Sequence, residues 1–388
     1  MIKSETIIDI TNKRQIGRIT GATPGPTLIF TAGIHGNEPS GVTALENVFN
    51  ALKNYEGAIK GTVIGHKGNL RALNFNVRFI DEDLNRIWSK ERLKQPFNPH
   101  SSEAREQVEL WQEIQDILSD NNGPYYFFDL HTTSGQTIPF LTVNDSLLNR
   151  RFTKNYPLPI VLGIEEYLKG PILSYINELG YVAFGFEGGQ HSDGSSIIRH
   201  EHFIYTTLGI TGVLSPHAVQ NHKNTLKELG KGRANYFEIF TYQHVPFSVD
   251  FEMKPSFKNF QKVKKGELLA ILNGEKINSP TKAQIFMPLY QQQGDDGFFL
   301  VRPIPRFFLW LSKHIRKWYK LLTLLPGVHA NSADSSEIIV NTHVARFFPK
   351  QIFHLFGYRA RQLKGHQYIM QNRETASRTA AYYNEPWF

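Results

Sequence analysis

The 388-residue sequence predicts an α/β fold, a mixed and mainly parallel sheet flanked by helices, with a smaller C-terminal β domain and a basic helical tail. Three observations carry this. Between residue 27 and about residue 220, short apolar runs alternate with amphipathic stretches, the texture of strands covered by helices. After about residue 225 the texture changes to period-two alternation broken by turns. Beyond residue 300 the charge shifts: residues 301–388 hold 13 Lys and Arg against 4 Asp and Glu, whereas the first 300 residues hold 30 against 31. These changes divide the chain at 1–225, 226–300 and 301–388.

Taken in order, TLIFTAGI (27–34) reads as a buried strand, and Pro39 stands where a helix through VTALENVFNALKNY begins. GTVIGH (61–66) is a second strand. Ser101 caps a helix in which Ala104, Val108, Trp111, Ile114 and Leu118 recur at helical spacing. PYYFFDL (124–130), YVAFGFE (181–187) and ITGVLS (210–215) read as the third, fourth and fifth strands. NYFEIFTYQ, FSVDFEM, VKKGELLAILNGEKI and KAQIFMPLY form the antiparallel β module, which GDDGFF (294–299) closes with a tight turn.

In the tail, FFLWLSKHIRKWYKLLTLL (307–325) is an amphipathic helix with Phe308, Leu311, Ile315, Trp318, Leu322 and Leu325 on one face. Lys313, Arg316, Lys317 and Lys320 lie mostly elsewhere on it. Such a helix lies on an anionic membrane surface, binds a partner, or packs on the catalytic domain. The apolar stretches EIIVN and PKQIFHLFGY also need a core, which favours packing. The residues from about Gln371 onward read as frayed.

There is no cysteine, which excludes disulfides, thiolate metal sites and a cysteine nucleophile, and leaves any transition metal to His and carboxylates. The start, MIKSETIIDITNKRQIG, lacks the layout of a signal peptide, and no apolar run approaches the roughly 20 residues of a spanning helix. A cytoplasmic, soluble protein is the expectation. The excess of basic residues belongs to the tail, and no recognised nucleic-acid module is present, so nucleic acid is not an expected partner.

The chemistry-bearing residues gather at strand ends. His35 and Glu38 follow the first strand in GIHGNEPSG, and His131 follows the third in FFDLHTTSG. Two His and one carboxylate are a common catalytic zinc set, with a fourth position left for water or substrate. Open α/β sheets place ligands beyond the carboxyl ends of their strands. Either half alone is weak, since HxxE and DLH arise by chance; their conjunction carries the inference. Asp129, on the same strand face as His131, is placed to orient that histidine, or else caps a loop. In GNLRALNFNVRFIDEDLNR (68–86), Arg78 and Arg86 either grip a carboxylate or pair with Asp81 and Asp83. Glu187 ends an apolar strand before two glycines in FGFEGGQHSDGSS, where a carboxylate can take a proton from water beside a metal and return it to a leaving amine. HEH (200–202) also looks metal-binding, but exposed loop histidines are common.

GIHGNEPSG, RFIDEDLNR, DLHTTSG and FEGGQ, in this order, resemble the succinylglutamate desuccinylase/aspartoacylase family, a branch of the zinc carboxypeptidase superfamily. The resemblance spans about residues 27–300 and implies a zinc-carboxypeptidase-like fold. It implies one zinc ion held by His35, Glu38 and His131, with Glu187 as general base and Arg78 polarising the scissile carbonyl. Asn85 and Arg86 would grip a substrate carboxylate, and Asp129 matches the aspartate that precedes the second ligand histidine. The implied activity is hydrolysis of a small N-acyl amino acid or related carboxylate-bearing amide, with a metallocarboxypeptidase or a non-catalytic zinc scaffold as the alternatives. The sequence departs from aspartoacylases in lacking an arginine between Arg151 and Arg199, where they hold a second carboxylate; Lys169 and His191 are the nearest candidates. Tyr290 is a candidate for the family's aromatic hydroxyl, or a cross-strand packing residue.

Overall fold

The computed structural model describes residues 13–95, 100–120, 123–230, 236–246, 249–332, 334, 336–341, 343–344 and 350–388. Residues 1–12, on which most of the reading of the N-terminal segment rested, lie outside these. The chain opens with β1 (Gln15–Thr20) and β2 (Thr23–Ala32), then α1 (Ser40–Leu52) and β3 (Lys60–Lys67). The short α2 (Leu70–Phe75) and α3 (Lys90–Lys94) lead to α4 (Ser102–Ser119), which Ser101 caps by accepting from the Ala104 amide. β4 (Tyr125–Thr133), β5 (Phe140–Val143), α5 (Leu147–Thr153), β6 (Ile160–Leu162), α6 (Ile172–Glu178) and β7 (Val182–Gln190) follow, then α7 (Ser195–Ile210) and α8 (Gln220–Leu229).

Strands β3, β2, β4 and β7 run parallel side by side, β1 pairs antiparallel on β3, and β5 runs antiparallel to β7. The chain leaves β2 for β3 on one side and returns to β4 on the other. This reversal opens a crevice beyond the carboxyl end of β2, the usual ligand position in such sheets. Strand alternation supplies both cores. Leu28, Phe30, Tyr126, Phe128 and Phe184 face α1 and α7, while Ile29, Phe127 and Ala183 face α4 and α6.

Two expectations need correction here. ITGVLS is not a strand: Ile210 ends α7, Gly212 at φ +75° turns the chain, and Val213 and Leu214 fill the core from a loop. A short buried apolar run has no periodicity to tell a strand from a core-facing loop. The HEH segment lies on α7 rather than in an exposed loop, and His200 is fully buried beneath Gly188. Burial drives the His200 imidazole down to about 3, so it is neutral, and its Nδ1 meets the Ser196 carbonyl.

The large sheet continues from β6 into β8 (Tyr236–His244) and onward. β9 (Phe251–Met253), β10 (Lys262–Val263), β11 (Leu268–Leu272), β12 (Glu275–Asn278), β13 (Ala283–Phe286) and β14 (Asp296–Pro303) complete the β module. β14, β13 and β10 extend the eleven-stranded sheet past β8, and β12, β11 and β9 form a separate three-stranded sheet. A third sheet comes from the tail: after α9 (Arg306–Ile315) and a 3₁₀ segment (Arg316–Leu324), it is built of β15 (Val328–Ala330), β16 (Glu337–Asn341), β17 (Tyr358–Lys364) and β18 (Gln367–Asn372), with α10 (Lys350–Leu355) between β16 and β17.

The C-terminal residues are not frayed. Tyr382 is fully buried, its hydroxyl donates to the Tyr125 carbonyl at 2.6 Å, and Trp387 Nε1 donates to the Tyr126 hydroxyl at 2.9 Å. Large aromatics with a polar tip gain most from such a seat, since body and tip are both satisfied.

Candidate functional site

The loop after β2 carries His35 and Glu38 and is held tightly against α2. A Cβ on Gly36 would stand 2.1 Å from the Ala72 carbonyl carbon, so only glycine allows this approach. His131 and Glu187 are register partners on neighbouring parallel strands β4 and β7, which puts both side chains on one face at the same height. All four are buried at the end of the crevice.

His35 Nδ1 lies 2.8 Å from Glu38 Oε1, and His131 Nδ1 lies 3.2 Å from Glu38 Oε2, which also accepts the Thr132 amide at 2.8 Å. The second nitrogen of each imidazole meets a carboxylate: His131 Nε2 lies 2.6 Å from Asp129 Oδ2, and His35 Nε2 lies 3.3 Å from Asp83 Oδ1. Both rings therefore turn Nδ1 toward Glu38 while a carboxylate fixes the other edge, the arrangement that orients histidine ligands. Among the described residues, His35, Glu38 and His131 are the group of His and carboxylates whose donor atoms converge, all within 4.8 Å, and they could hold a metal ion. No cysteine competes, so the donor set is the one borderline divalent metals favour.

Burial would raise the Glu38 carboxyl, but His35 and His131 outweigh it and hold it well below the usual carboxylate range. Burial would likewise lower His131, but Asp129 and Glu38 raise it well above an ordinary histidine. Glu187 behaves oppositely. Burial, reinforced by Glu38 and Asp129 against His131 and Arg78, pushes it up to about 8, and its buried Oε2 has no partner among the described residues.

The two arginines do not share one role. Arg78 donates Nε and Nη2 to Asp83 Oδ2 at 3.1 and 2.9 Å, and its Nη1 lies 3.8 Å from Glu38 Oε1, beside the His–Glu–His group. Arg86 donates Nη2 to Asp296 Oδ2 at 2.5 Å, and the Tyr242 hydroxyl holds Asp296 Oδ1 at 2.7 Å. Asn85 Oδ1 accepts the Ile172 amide at 3.1 Å, which orients the side chain at the cleft wall. Asp81 accepts from the Ser102 amide at the start of α4 and pairs with neither arginine.

Sequence reasoning missed the two-sided role of Asp83 and the reach of Asp296, whose partners are remote in sequence or hidden in a loop. It noted His191 only in passing. Thr132 Oγ1 lies 2.7 Å from His191 Nδ1, and His191 Nε2 lies 3.0 Å from Gln291 Oε1, which stitches the catalytic sheet to the β module. Burial lowers His191, so it is neutral. Tyr290 and Lys169 lie outside the cleft: the Tyr290 hydroxyl donates to the Lys254 carbonyl and accepts the Phe257 amide, and Lys169 is exposed.

The cleft in front of the group has a volume of about 130 Å³ and opens to solvent. Ile164, Leu168, Pro171, Leu173, Met287 and Phe299 make much of its wall apolar. Arg78 and Arg86 are the Lys or Arg side chains that line it among the described residues.

Residues 24–194 match the succinylglutamate desuccinylase/aspartoacylase catalytic domain. The succinylglutamate desuccinylase of Photorhabdus laumondii is 35% identical over 108 residues, covering 27% of this chain and 33% of that protein. The one from Pseudomonas putida is 31% identical over 109 residues, covering 28% and 31%. The matched stretch thus spans about a third of these curated relatives. A succinylglutamate desuccinylase/aspartoacylase structure from Rhodobacter sphaeroides superposes with a TM-score of 0.57 at 17% identity, over 74% of this chain and 88% of that one. A succinylglutamate desuccinylase from Vibrio parahaemolyticus gives 0.54 at 12% identity, over 74% and 86%. At these identities the structural likeness is one of fold, and the sequence likeness is regional: residues 24–194 of this chain are similar to the succinylglutamate desuccinylase/aspartoacylase catalytic domain.

Proposed function

We propose that the protein is a zinc-dependent amide hydrolase that removes an uncharged, largely apolar acyl group from a small carboxylate-bearing amine, such as an N-acyl amino acid. One observation carries this reading: the buried His35–Glu38–His131 group faces a carboxylate, Glu187, whose buried Oε2 has no hydrogen-bond partner among the described residues. A zinc ion held by these three residues would supply Lewis-acid polarisation of the scissile carbonyl and ease deprotonation of a water.

The chain's own groups do the rest. Glu187 takes the proton of the attacking water and returns it to the departing nitrogen. Arg78, with Nε and Nη2 committed to Asp83, turns Nη1 to the developing oxyanion. Asn85 and Arg86 hold the substrate carboxylate, which displaces or shares the place of Asp296. Asp129 and Asp83 keep the two histidines in the tautomer that offers Nδ1.

The acyl preference rests on the wall. Arg78 and Arg86 are already committed, no further Lys or Arg lines the cleft among the described residues, and eight apolar side chains do. A second carboxylate on the acyl side would find no further Lys or Arg among the described lining residues, which disfavours a succinyl or an aspartate-derived substrate. The β module contributes Met287, Leu289, Gln291 and Gly294 to the wall, which suits a small substrate better than a peptide. In this reading residues 1–225 carry the chemistry, 226–300 roof it and 301–388 form an accessory extension.

The test is amine release from a panel of N-acyl amino acids with acetyl, succinyl and longer alkanoyl groups, using zinc-loaded and chelated protein side by side. Zinc-dependent release that favours uncharged acyl groups is expected. Preference for the succinyl member would overturn the assigned specificity, and no release from any member would overturn the reaction.

A further inference from the structure

The tail is attached in an unexpected way. Along α9 and the 3₁₀ segment, the residues turned inward include Ser312, Arg316 and Leu322. Ser312 Oγ donates to the Leu355 carbonyl, and Arg316 donates to Glu374 at 2.6 Å and to Asp145 at 2.7 Å. Polar pins thus fix this segment. The apolar side chains are left outside: Phe307, Phe308, Trp310, Trp318, Leu321 and Leu324 are between 48% and 79% exposed.

Phe307, Trp310 and His314 share one face of α9, and Trp318, Leu321 and Leu324 follow at three-residue steps along the 3₁₀ segment, which is kinked at Trp318. Two tryptophans and a stacked Phe307–Trp310 pair on an outward stripe are unusual on a water-facing surface. The apolar face expected through Phe308, Leu311, Ile315, Trp318, Leu322 and Leu325 is not the buried one throughout: Leu322 is buried, but Phe308 and Trp318 are exposed. The segment's more aromatic side has no cover among the described residues.

The charge around the stripe is one-sided. No Asp or Glu occurs from Gly297 to Ala333. Arg306, Lys313, Lys317 and Lys320 are exposed, and none forms an ion pair with a described residue. Aromatic rings flanked by unpaired cations match the two layers of an anionic bilayer surface, where tryptophan favours the interface and lysine the phosphates. No helix among the described residues is long and apolar enough to cross a membrane, so the contact would be peripheral.

We propose that residues 306–325 seat the protein on anionic lipid bilayers, with Phe307, Trp310, Trp318, Leu321 and Leu324 in the interfacial layer. Lys313 and Lys317 lie against the headgroups. The inference is independent of the reaction at the His–Glu–His site.

The experiment is co-flotation of the full chain with phosphatidylcholine vesicles containing or lacking phosphatidylglycerol, with tryptophan emission followed in parallel. Binding and a blue shift are expected with the anionic vesicles alone, and high salt should release the protein. Lys313→Ser with Lys317→Ser should weaken partition about thirty-fold, since each cation near an anionic surface contributes about fivefold. Trp310→Ser with Trp318→Ser should abolish it, while thermal midpoints of both variants stay at that of the parent. Absence of flotation with anionic vesicles would overturn the proposal, as would indifference to salt and to the lysine changes. Concentration-dependent dimerisation that the tryptophan changes abolish, without vesicle binding, would assign the stripe to a second copy instead and also overturn it. The salt titration uses the unsubstituted protein, so the outcome stands even if a variant misfolds.

Discussion

Asp83 is the most informative position to perturb, because its carboxylate meets four donors. Oδ2 accepts Arg78 Nε and Nη2, while Oδ1 accepts the Asn85 amide at 2.8 Å and faces His35 Nε2 at 3.3 Å. Asp83→Asn keeps the shape but leaves a single acceptor oxygen. Leaving the buried Arg78 guanidinium against an NH₂ group is the costlier choice, so the oxygen stays with Arg78 and the NH₂ turns to His35. His35 Nε2 must then accept, which moves the ring proton to Nδ1, the atom that faces Glu38. The ligand edge is lost without any change in the ligand. Metal affinity should fall about 100-fold, the upper end for a partner of a ligand histidine. Losing the charge opposite Arg78 and the Asn85 cap should cost about 3 kcal/mol of stability.

Asp129→Asn supplies the contrast. Among the described residues, Asp129 Oδ2 meets only His131 Nε2, and the buried Oδ1 has no partner. The amide oxygen can keep its contact with His131, so the tautomer survives and affinity should fall no more than about tenfold. Zinc competition against a chromophoric chelator, with thermal unfolding of the metal-free proteins, measures both. Equal losses in the two variants, or a larger loss in Asp129→Asn, would refute the tautomer argument.

Glu187→Gln should retain zinc at parental affinity while lowering amide turnover about 10²- to 10⁴-fold, read by single-turnover amine release. In metal-free protein, Glu187 is raised from 4.5 to about 8, so the folded state holds a proton there that the unfolded state has released. Stability should therefore fall as pH rises through this window, and the slope in thermal midpoint against pH should be shallower in Glu187→Gln. His131, raised as well, adds to the fall in the parent and leaves a residual slope in the variant. Asp296→Asn should free Arg86 from its internal carboxylate and lower KM for carboxylate-bearing amides with little change in kcat; a raised KM would show that Asp296 helps bind substrate.

How much of this was legible in the sequence depends on where the partners lie. His35, Glu38, Asp129, His131 and Glu187 lie near one another because strand ends in an α/β sheet converge, and β-strand period fixes which residues share a face. Asp83 as a partner of His35 was not legible, since it depends on how a loop folds over a strand end 48 residues earlier. Asp296, 210 residues from Arg86, was beyond any local pattern. The failed strand at 210–215 and the unforeseen helix Ser195–Ile210 have one cause: both segments are buried widely enough to blur their period. The tail misled for the opposite reason. Its amphipathic pattern was real, but periodicity does not say which face a buried arginine will choose, and Arg316 turned toward Asp145 and Glu374.

The charge inventory of the site bears on what it is built to hold. Five carboxylates, Glu38, Asp83, Asp129, Glu187 and Asp296, line or support the cleft against the two guanidiniums of Arg78 and Arg86. Asp83 and Asp296 are neutralised by those guanidiniums, which leaves Glu38, Asp129 and Glu187 around two imidazoles. In the metal-free chain the shortfall is met by protons, one drawn to His131 and one retained by Glu187 toward neutral pH. A divalent cation among the three donors would supply two positive charges, replace the proton on His131 and lower the tendency of Glu187 to keep its own. The group next to the reacting water would then be a free carboxylate at neutral pH, which is the protonation state a general base requires.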